Sequence, residues 1–153
     1  MNWKLGFEKF YRQSTAPATG NLEEDAMNEQ EWREYFEHST YLPIRAAAQG
    51  LKQGLSALGL TASPNTGHVP AVRFHDGYNR YLFSFILNKT SLLFYIRLPA
   101  LQESSLLASH AKLKFTEVNT NSAGETTIRI TSPADAEAVV HWLSAELPLP
   151  YTK

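Results

Sequence analysis

The chain of 153 residues contains no cysteine. That excludes disulfides, thiolate nucleophiles, cysteine-type zinc sites and iron–sulfur ligation, and leaves His, Asp and Glu as the metal-ligating side chains. Nor does either charge dominate. The 14 Lys and Arg stand against 15 Asp and Glu, and the net charge of −1 disfavours a strongly basic nucleic-acid binder. No apolar run approaches the ~20 residues that a membrane-spanning helix requires. Met1 to Phe10 carries Lys4, Glu8 and Lys9 where a signal peptide would have an apolar core. The expectation is a cytoplasmic protein with no membrane partner, in which Asn88-Lys89-Thr90 is a turn and not a glycosylation site.

Catalytic spacings are equally scarce. His38, His68, His75, His110 and His141 form no H-x-x-x-H or H-E-x-x-H pair, and there is no phosphate-binding G-x-x-x-x-G-K-[ST] or G-x-G-x-x-G. Gly54-Leu55-Ser56-Ala57-Leu58-Gly59 is one residue too long for a nucleophile elbow and falls within a helical pattern. Asp76, Glu117 and Lys114 lack the carboxylate–carboxylate–lysine spacing of metal-dependent nucleases. No catalytic residue, metal or cofactor is therefore expected.

What the sequence does contain is the pattern of one α+β domain spanning residues 1–153. Residues 1–40 hold four basic and eight acidic side chains, a net −4, and read as an acidic helical cap on a body of residues 41–153. Trp3, Phe7, Phe10 and Tyr11 lie on one helical stripe, and a linker of small residues, 14–20, follows. Asn28 and Glu31 form a capping box for a second helix that buries Trp32, Tyr35 and Phe36. A third helix starts at Pro43, buries Ile44, Ala48, Leu51, Leu55 and Leu58, and ends in a Schellman motif at Gly59-Leu60.

Beyond Gly67 the period becomes two. Strands are expected over 69–75, 80–87, 92–98, 112–118 and 126–130, with a hairpin at Asp76-Gly77 and a short helical crossover over 100–110. In the fourth of these, Leu113 and Phe115 are placed inward. Ser132-Pro133-Ala134-Asp135 opens a last helix, whose buried stripe is Ala136, Val139, Val140, Leu143 and Leu147 and which ends at Pro148. The fold expected is α+β: a five-stranded antiparallel meander preceded by two or three helices and followed by a C-terminal helix packed on the sheet. Tyr81, Phe83, Phe85 and Leu87 fall on one face of the second strand and Leu82 and Ile86 on the other, so the sheet is expected to be apolar on both faces. Either the N-terminal helices or a binding partner must then cover the second face.

Arg73, Arg80, Tyr95 and Arg97, with Arg129 as a further member, are the candidate ligand-binding residues, because guanidinium groups on a sheet face hold carboxylate or phosphate and Tyr95 adds stacking. The competing reading puts each arginine at an edge, in water or paired with Asp76 or Glu117. His75-Asp76 reads either as an acid–base pair or, more simply, as part of the turn.

From Arg80 to Trp142 the order of features resembles a family of small bacterial domains of unknown function, sometimes labelled predicted transport proteins. The resemblance rests on residues 88–99, Asn-Lys-Thr-Ser-Leu-Leu-Phe-Tyr-Ile-Arg-Leu-Pro, and on Thr127-Ile128-Arg129-Ile130-Thr131-Ser132 leading into an acidic-capped helix. It implies no catalytic residue.

The functional expectation is a non-enzymatic binding or protein-interaction module with a protein partner or self-association. The alternative is a nucleic-acid-associated accessory domain using Arg73, Arg80, Arg97, Lys112 and Lys114 on phosphates. A third reading is an enzyme with a pocket at Tyr95, Arg97, His75 and Asp76.

Overall fold

The structure is a computed structural model that describes residues 27–37, 41–65 and 69–147. The expected first helix and linker, His38, His68 and Pro148 lie outside the described residues. Among the described residues the elements run α1 (Glu29–Phe36), α2 (Leu42–Ala57), β1 (Thr61–Pro64), β2 (Ala71–His75), β3 (Tyr81–Leu87), β4 (Leu92–Ile96), α3 (Leu98–Glu103), α4 (Leu107–Lys114), β5 (Val118–Thr120), β6 (Thr126–Ile130) and α5 (Pro133–Glu146). This is an α+β fold with an antiparallel sheet and a C-terminal helix. None of the described helices is long and apolar enough to cross a membrane.

The helix ends follow their local chemistry. Asn28 Oδ1 accepts the Glu31 N–H at 2.8 Å while Glu31 accepts from the Asn28 N–H, which closes the capping box of α1. At the end of α2, Gly59 takes φ 96° and the Gly59 and Leu60 amides donate to Ser56 and Leu55 carbonyls, completing the Schellman motif. The Ser132 hydroxyl caps α5 by accepting from Asp135 N–H.

The sheet has six strands in the order β1-β2-β3-β4-β6-β5, one strand more than expected and not a simple meander. The added strand, β1, has no apolar alternation and ends in Pro64. It is held by backbone pairing with β2 at the sheet edge, which hydrophobic periodicity does not register. After β4 the chain crosses through α3 and α4 to the opposite edge, forms β5, and returns as β6 between β5 and β4. The expected strand over 112–118 is overturned except at its last residue, Val118, where the short strand β5 begins. Leu107, Ala111 and Phe115 recur every fourth residue, and α4 buries Leu107 and Ala111, so the helical period overrides the short Lys-Leu-Lys-Phe alternation. Leu113, placed inward by that alternation, is 87% exposed.

One sheet face carries the core. Val72, Phe74, Phe83, Phe85, Phe94, Ile96, Ile128 and Ile130 are fully buried or nearly so and meet Phe36 of α1, Leu51 and Leu55 of α2, and Val139 and Leu143 of α5. Each such side chain contributes about 1.5–3 kcal/mol through burial. Phe36 and Phe85 rings lie 6.2 Å apart, and the Tyr35 hydroxyl donates to the Ala71 carbonyl at 2.6 Å while accepting the Ala71 N–H at 3.0 Å. These contacts lock α1 onto β2 and β3.

The expectation of two apolar faces is corrected by a bulge. Phe74 pairs with Phe83 but His75 pairs with Tyr81, so Leu82 is an extra residue in β3. Leu82 and Phe83 are both completely buried, and Tyr81 is turned to the other face, where it meets Arg73 and Arg97. That second face therefore keeps Ile86 and Leu93 as half-buried apolar residues around a polar centre. Helices α1, α2 and α5 all contribute to the core on the opposite face.

Close helix packing supplies a test. A Cβ on Gly54 of α2 would meet both Val140 methyl groups of α5 at 2.8 Å. Gly54→Ala, which in an exposed helix would stabilise by about 0.5–1 kcal/mol, is expected instead to destabilise by about 1–3 kcal/mol. Addition of Val140→Ala should recover part of that loss in urea denaturation. A stabilised single variant would contradict the close approach.

Candidate functional site

The sheet face opposite the helical core forms a concavity of about 640 Å³ lined by Asn65, Val69, Ala71, Arg73, Tyr81, Ser84, Ile86, Tyr95, Arg97 and Glu125. Its floor is built by strand register. Arg73 of β2 pairs with Ser84 of β3, and Ser84 pairs with Tyr95 of β4, so the three side chains stand in one row on the same face. Ala71, Ile86 and Leu93 form the neighbouring row two residues along each strand. Polar and apolar halves thus lie side by side.

Of the four residues singled out from the sequence, Arg73, Tyr95 and Arg97 come together here and Arg80 does not. Arg80 Nε donates to Asp76 at 2.7 Å and its Nη2 lies 3.1 Å from Glu103, so its charge is engaged at the β2–β3 turn. Asp76 also accepts the Tyr78 and Arg80 backbone amides, both at 2.9 Å. The carboxylate therefore organises the turn, with Asn79 and not Gly77 in the left-handed region at φ 62°. Burial pushes the Asp76 carboxyl up, but these backbone bonds and the Arg80 guanidinium outweigh it and hold the group below its usual 3.8. Asp76 is buried in that role and does not line the concavity. Arg129 extends from the row of Leu93, donates to the Ser91 hydroxyl at 2.9 Å and faces Glu117 at 3.8 Å.

Arg97 has a different environment. Its Nε donates to Glu125 at 2.6 Å, and its guanidinium carbon lies 3.9 Å from the centre of the Tyr81 ring. Glu125 is in turn held by Asn121 Nδ2 at 3.0 Å. Burial pushes the Glu125 carboxyl up, yet the hydrogen bonds from Arg97 and Asn121 and the Arg97 charge more than offset this and hold it below 4.5. Arg73 sits 5.2 Å from the Tyr81 ring centre and has no carboxylate within ion-pair distance among the described residues. His75 also faces this group, its ring 5.3 Å from that of Tyr81. Burial, with the charges of Arg73 and Arg97, overrides Asp76 and holds the imidazole below 6.5, which favours the neutral form at pH 7. Burial, together with the Glu125 charge and Tyr81, pushes the Tyr95 phenol above 10.0, so it stays a proton donor.

Ser84 is the residue that the sequence reading passed over. It is only 7% exposed, and its hydroxyl has no hydrogen-bond partner among the described residues, although such a group ordinarily finds one. A serine in the middle of Tyr-Leu-Phe-Ser-Phe-Ile-Leu is a visible signal, since it interrupts an otherwise apolar strand. Tyr81 and Glu125 carried no comparable mark: one depends on the bulge and the other on the loop before β6. No group of three His, Asp or Glu side chains fit to hold a metal ion occurs among the described residues.

The Glu125 pair gives a pH test. A carboxyl held below its unfolded value stabilises the fold above about pH 4.5 and loses that contribution as pH falls through the folded value. Glu125→Gln is expected to cost about 1–3 kcal/mol at pH 7. The gap from wild type, read from urea midpoints, should narrow steadily on acidification. A gap independent of pH would contradict the ion pair.

Comparison of the chain with protein-family models, with curated proteins and with solved structures finds no match in any of the three, so no relative supplies a site residue and the functional reading rests on this geometry.

Proposed function

We propose that the chain is a non-catalytic binding module that holds its ligand on the sheet face opposite the helical core. The observation that carries this reading is the Ser84 hydroxyl, sunk in the floor of the concavity with no hydrogen-bond partner among the described residues, between an arginine that meets no carboxylate among them and a protonated tyrosine. A buried polar group left unpaired costs about 1–3 kcal/mol. A ligand atom placed there relieves that cost. Reaction chemistry has less support: no base lies within hydrogen-bond distance of Ser84 among the described residues, and the neutral His75 ring is packed beside Tyr81 instead.

The nucleic-acid reading stands second. Two tyrosines and two arginines on one sheet face are suited to stacked bases. Of the five cations that reading invoked, however, only Arg73 and Arg97 line the concavity. Lys112 and Lys114 lie on α4, and Arg80 is ion-paired.

Thermal unfolding with candidate ligands tests the module. Short organic acids, inorganic phosphate and a ten-nucleotide oligothymidylate are the probes. One of them is expected to raise Tm, since a ligand at 100 times its Kd adds about 2.7 kcal/mol, and filling the floor with Ser84→Trp should abolish the rise. Tyr95→Ala serves the same purpose if the larger side chain compromises folding. If no probe raises Tm, or if both variants retain the rise, the reading fails. A rise with the oligonucleotide alone, steeply reduced by salt, would put the nucleic-acid reading first.

A further inference from the structure

The geometry points to a ligand class: we propose that the concavity binds a small monocarboxylic acid, its carboxylate held by Arg73, Ser84 and Tyr95 and its apolar body lying over Ala71 and Ile86 towards Val69. This rests on the binding-module reading and narrows it to one chemistry.

Three features select the head group. First, the row Arg73–Ser84–Tyr95 presents two long donors on either side of a short one, at strand spacings of about 5 Å, which makes a notch with a guanidinium on one wall and a phenol on the other. A planar carboxylate can take the paired N–H groups of arginine and still accept from a hydroxyl. Second, both hydroxyls lack hydrogen-bond partners among the described residues, and Ser84 is more than nine-tenths buried. An acceptor-only ligand meets that requirement, since an ionised carboxylate brings no donor of its own.

The third feature is charge. Among the described residues the charged side chains lining the concavity are Arg73, Arg97 and Glu125. Arg97 and Glu125 neutralise each other at 2.6 Å, and the adjacent His75 favours its neutral form at pH 7. One positive charge remains, on Arg73. A monoanion balances it, whereas a doubly charged phosphate would bring an unbalanced charge towards the Glu125 carboxylate. By the same count phosphate ranks behind a monocarboxylate in this proposal despite the two arginines.

The neighbouring row sets the body. Ala71 and Ile86 lie two residues from Arg73 and Ser84, about 7 Å along the strands, and Val69, 43% exposed, continues the apolar wall. An acyl chain of about five or six carbon atoms spans that distance. Because one side of such a ligand stays in water, its affinity is expected in the submillimolar to millimolar range.

The test uses amide-resolved NMR on the full chain. Hexanoate is the probe, compared with hexanamide, which keeps the tail but loses the charge, with acetate, which keeps the charge but loses the tail, with inorganic phosphate, and with the oligothymidylate. Hexanoate is expected to give saturable shifts at the amides of Arg73, Ser84, Ile86 and Tyr95, and the two truncated probes to bind at least tenfold more weakly. Arg73→Gln should reduce hexanoate affinity at least tenfold. Ser84→Ala should weaken hexanoate binding severalfold while leaving the free protein at least as stable, because it removes an unpaired buried hydroxyl; a purely structural serine would give the opposite pair of results. Hexanamide binding as tightly as hexanoate, or hexanoate affinity unchanged in Arg73→Gln, overturns the carboxylate assignment. If phosphate or the oligonucleotide saturates these amides and hexanoate does not, the monocarboxylic acid is wrong and the binding face stands. If no probe moves them, both are wrong.

Discussion

One extra residue in β3 decides how the two faces of this sheet differ. In an uninterrupted strand Tyr81 would share the core face with Phe83 and Phe85, and Leu82 would lie on the opposite face with Ser84. The bulge inserts Leu82 beside Phe83 on the buried side and reverses the parity before it. Core and concavity both depend on that reversal. It buries a leucine that would otherwise be wet, and it delivers the ring that Arg73 and Arg97 approach.

Around this asymmetry the helices distribute themselves by apolar stripe and by close approach. The aromatic cluster of α1 meets β3 through Phe36 and Phe85, and Tyr35 satisfies both backbone groups of Ala71 at the start of β2. Burial pushes the Tyr35 hydroxyl far above the ordinary phenol range, so the bond is between neutral groups and does not change with pH in the usual working range. Helix α2 approaches α5 at Gly54, where the missing side chain leaves room for Val140. The end of α4 is tied to α5 by the edge-to-face contact of Phe115 and Trp142 at 5.4 Å.

The arginines on and beside the strands illustrate how differently one residue type behaves in different surroundings. Arg80 completes the Asp76 turn, Arg129 of β6 donates to Ser91, and Arg97 is neutralised by Glu125. Each of these has a local partner that offsets the cost of bringing its charge against apolar surface. Arg73 has only the Tyr81 ring among the described residues. That difference is what sets Arg73 apart from the arginines that serve the fold, and it is why the proposed ligand is placed against it.

Local chemistry along the chain was enough to determine the capping box at Asn28, the Schellman ending at Gly59, the cap at Ser132 and the strands through Phe85 and Phe94, because each depends on residues within a few positions of one another. It also marked Arg73, Arg80, Tyr95 and Arg97 as strand-region polar residues, of which the fold brings Arg73, Tyr95 and Arg97 to one face and ties Arg80 to Asp76. Tertiary structure alone decided the rest. The edge strand β1 exists through backbone pairing that leaves no apolar signature, and residues 112–114 became helix because Ala111 and Phe115 found the core on a helical period. Whether two arginines share a face depends on strand register, and whether the Tyr81 ring joins them depends on a one-residue bulge; register is a property of paired chains that no single strand encodes.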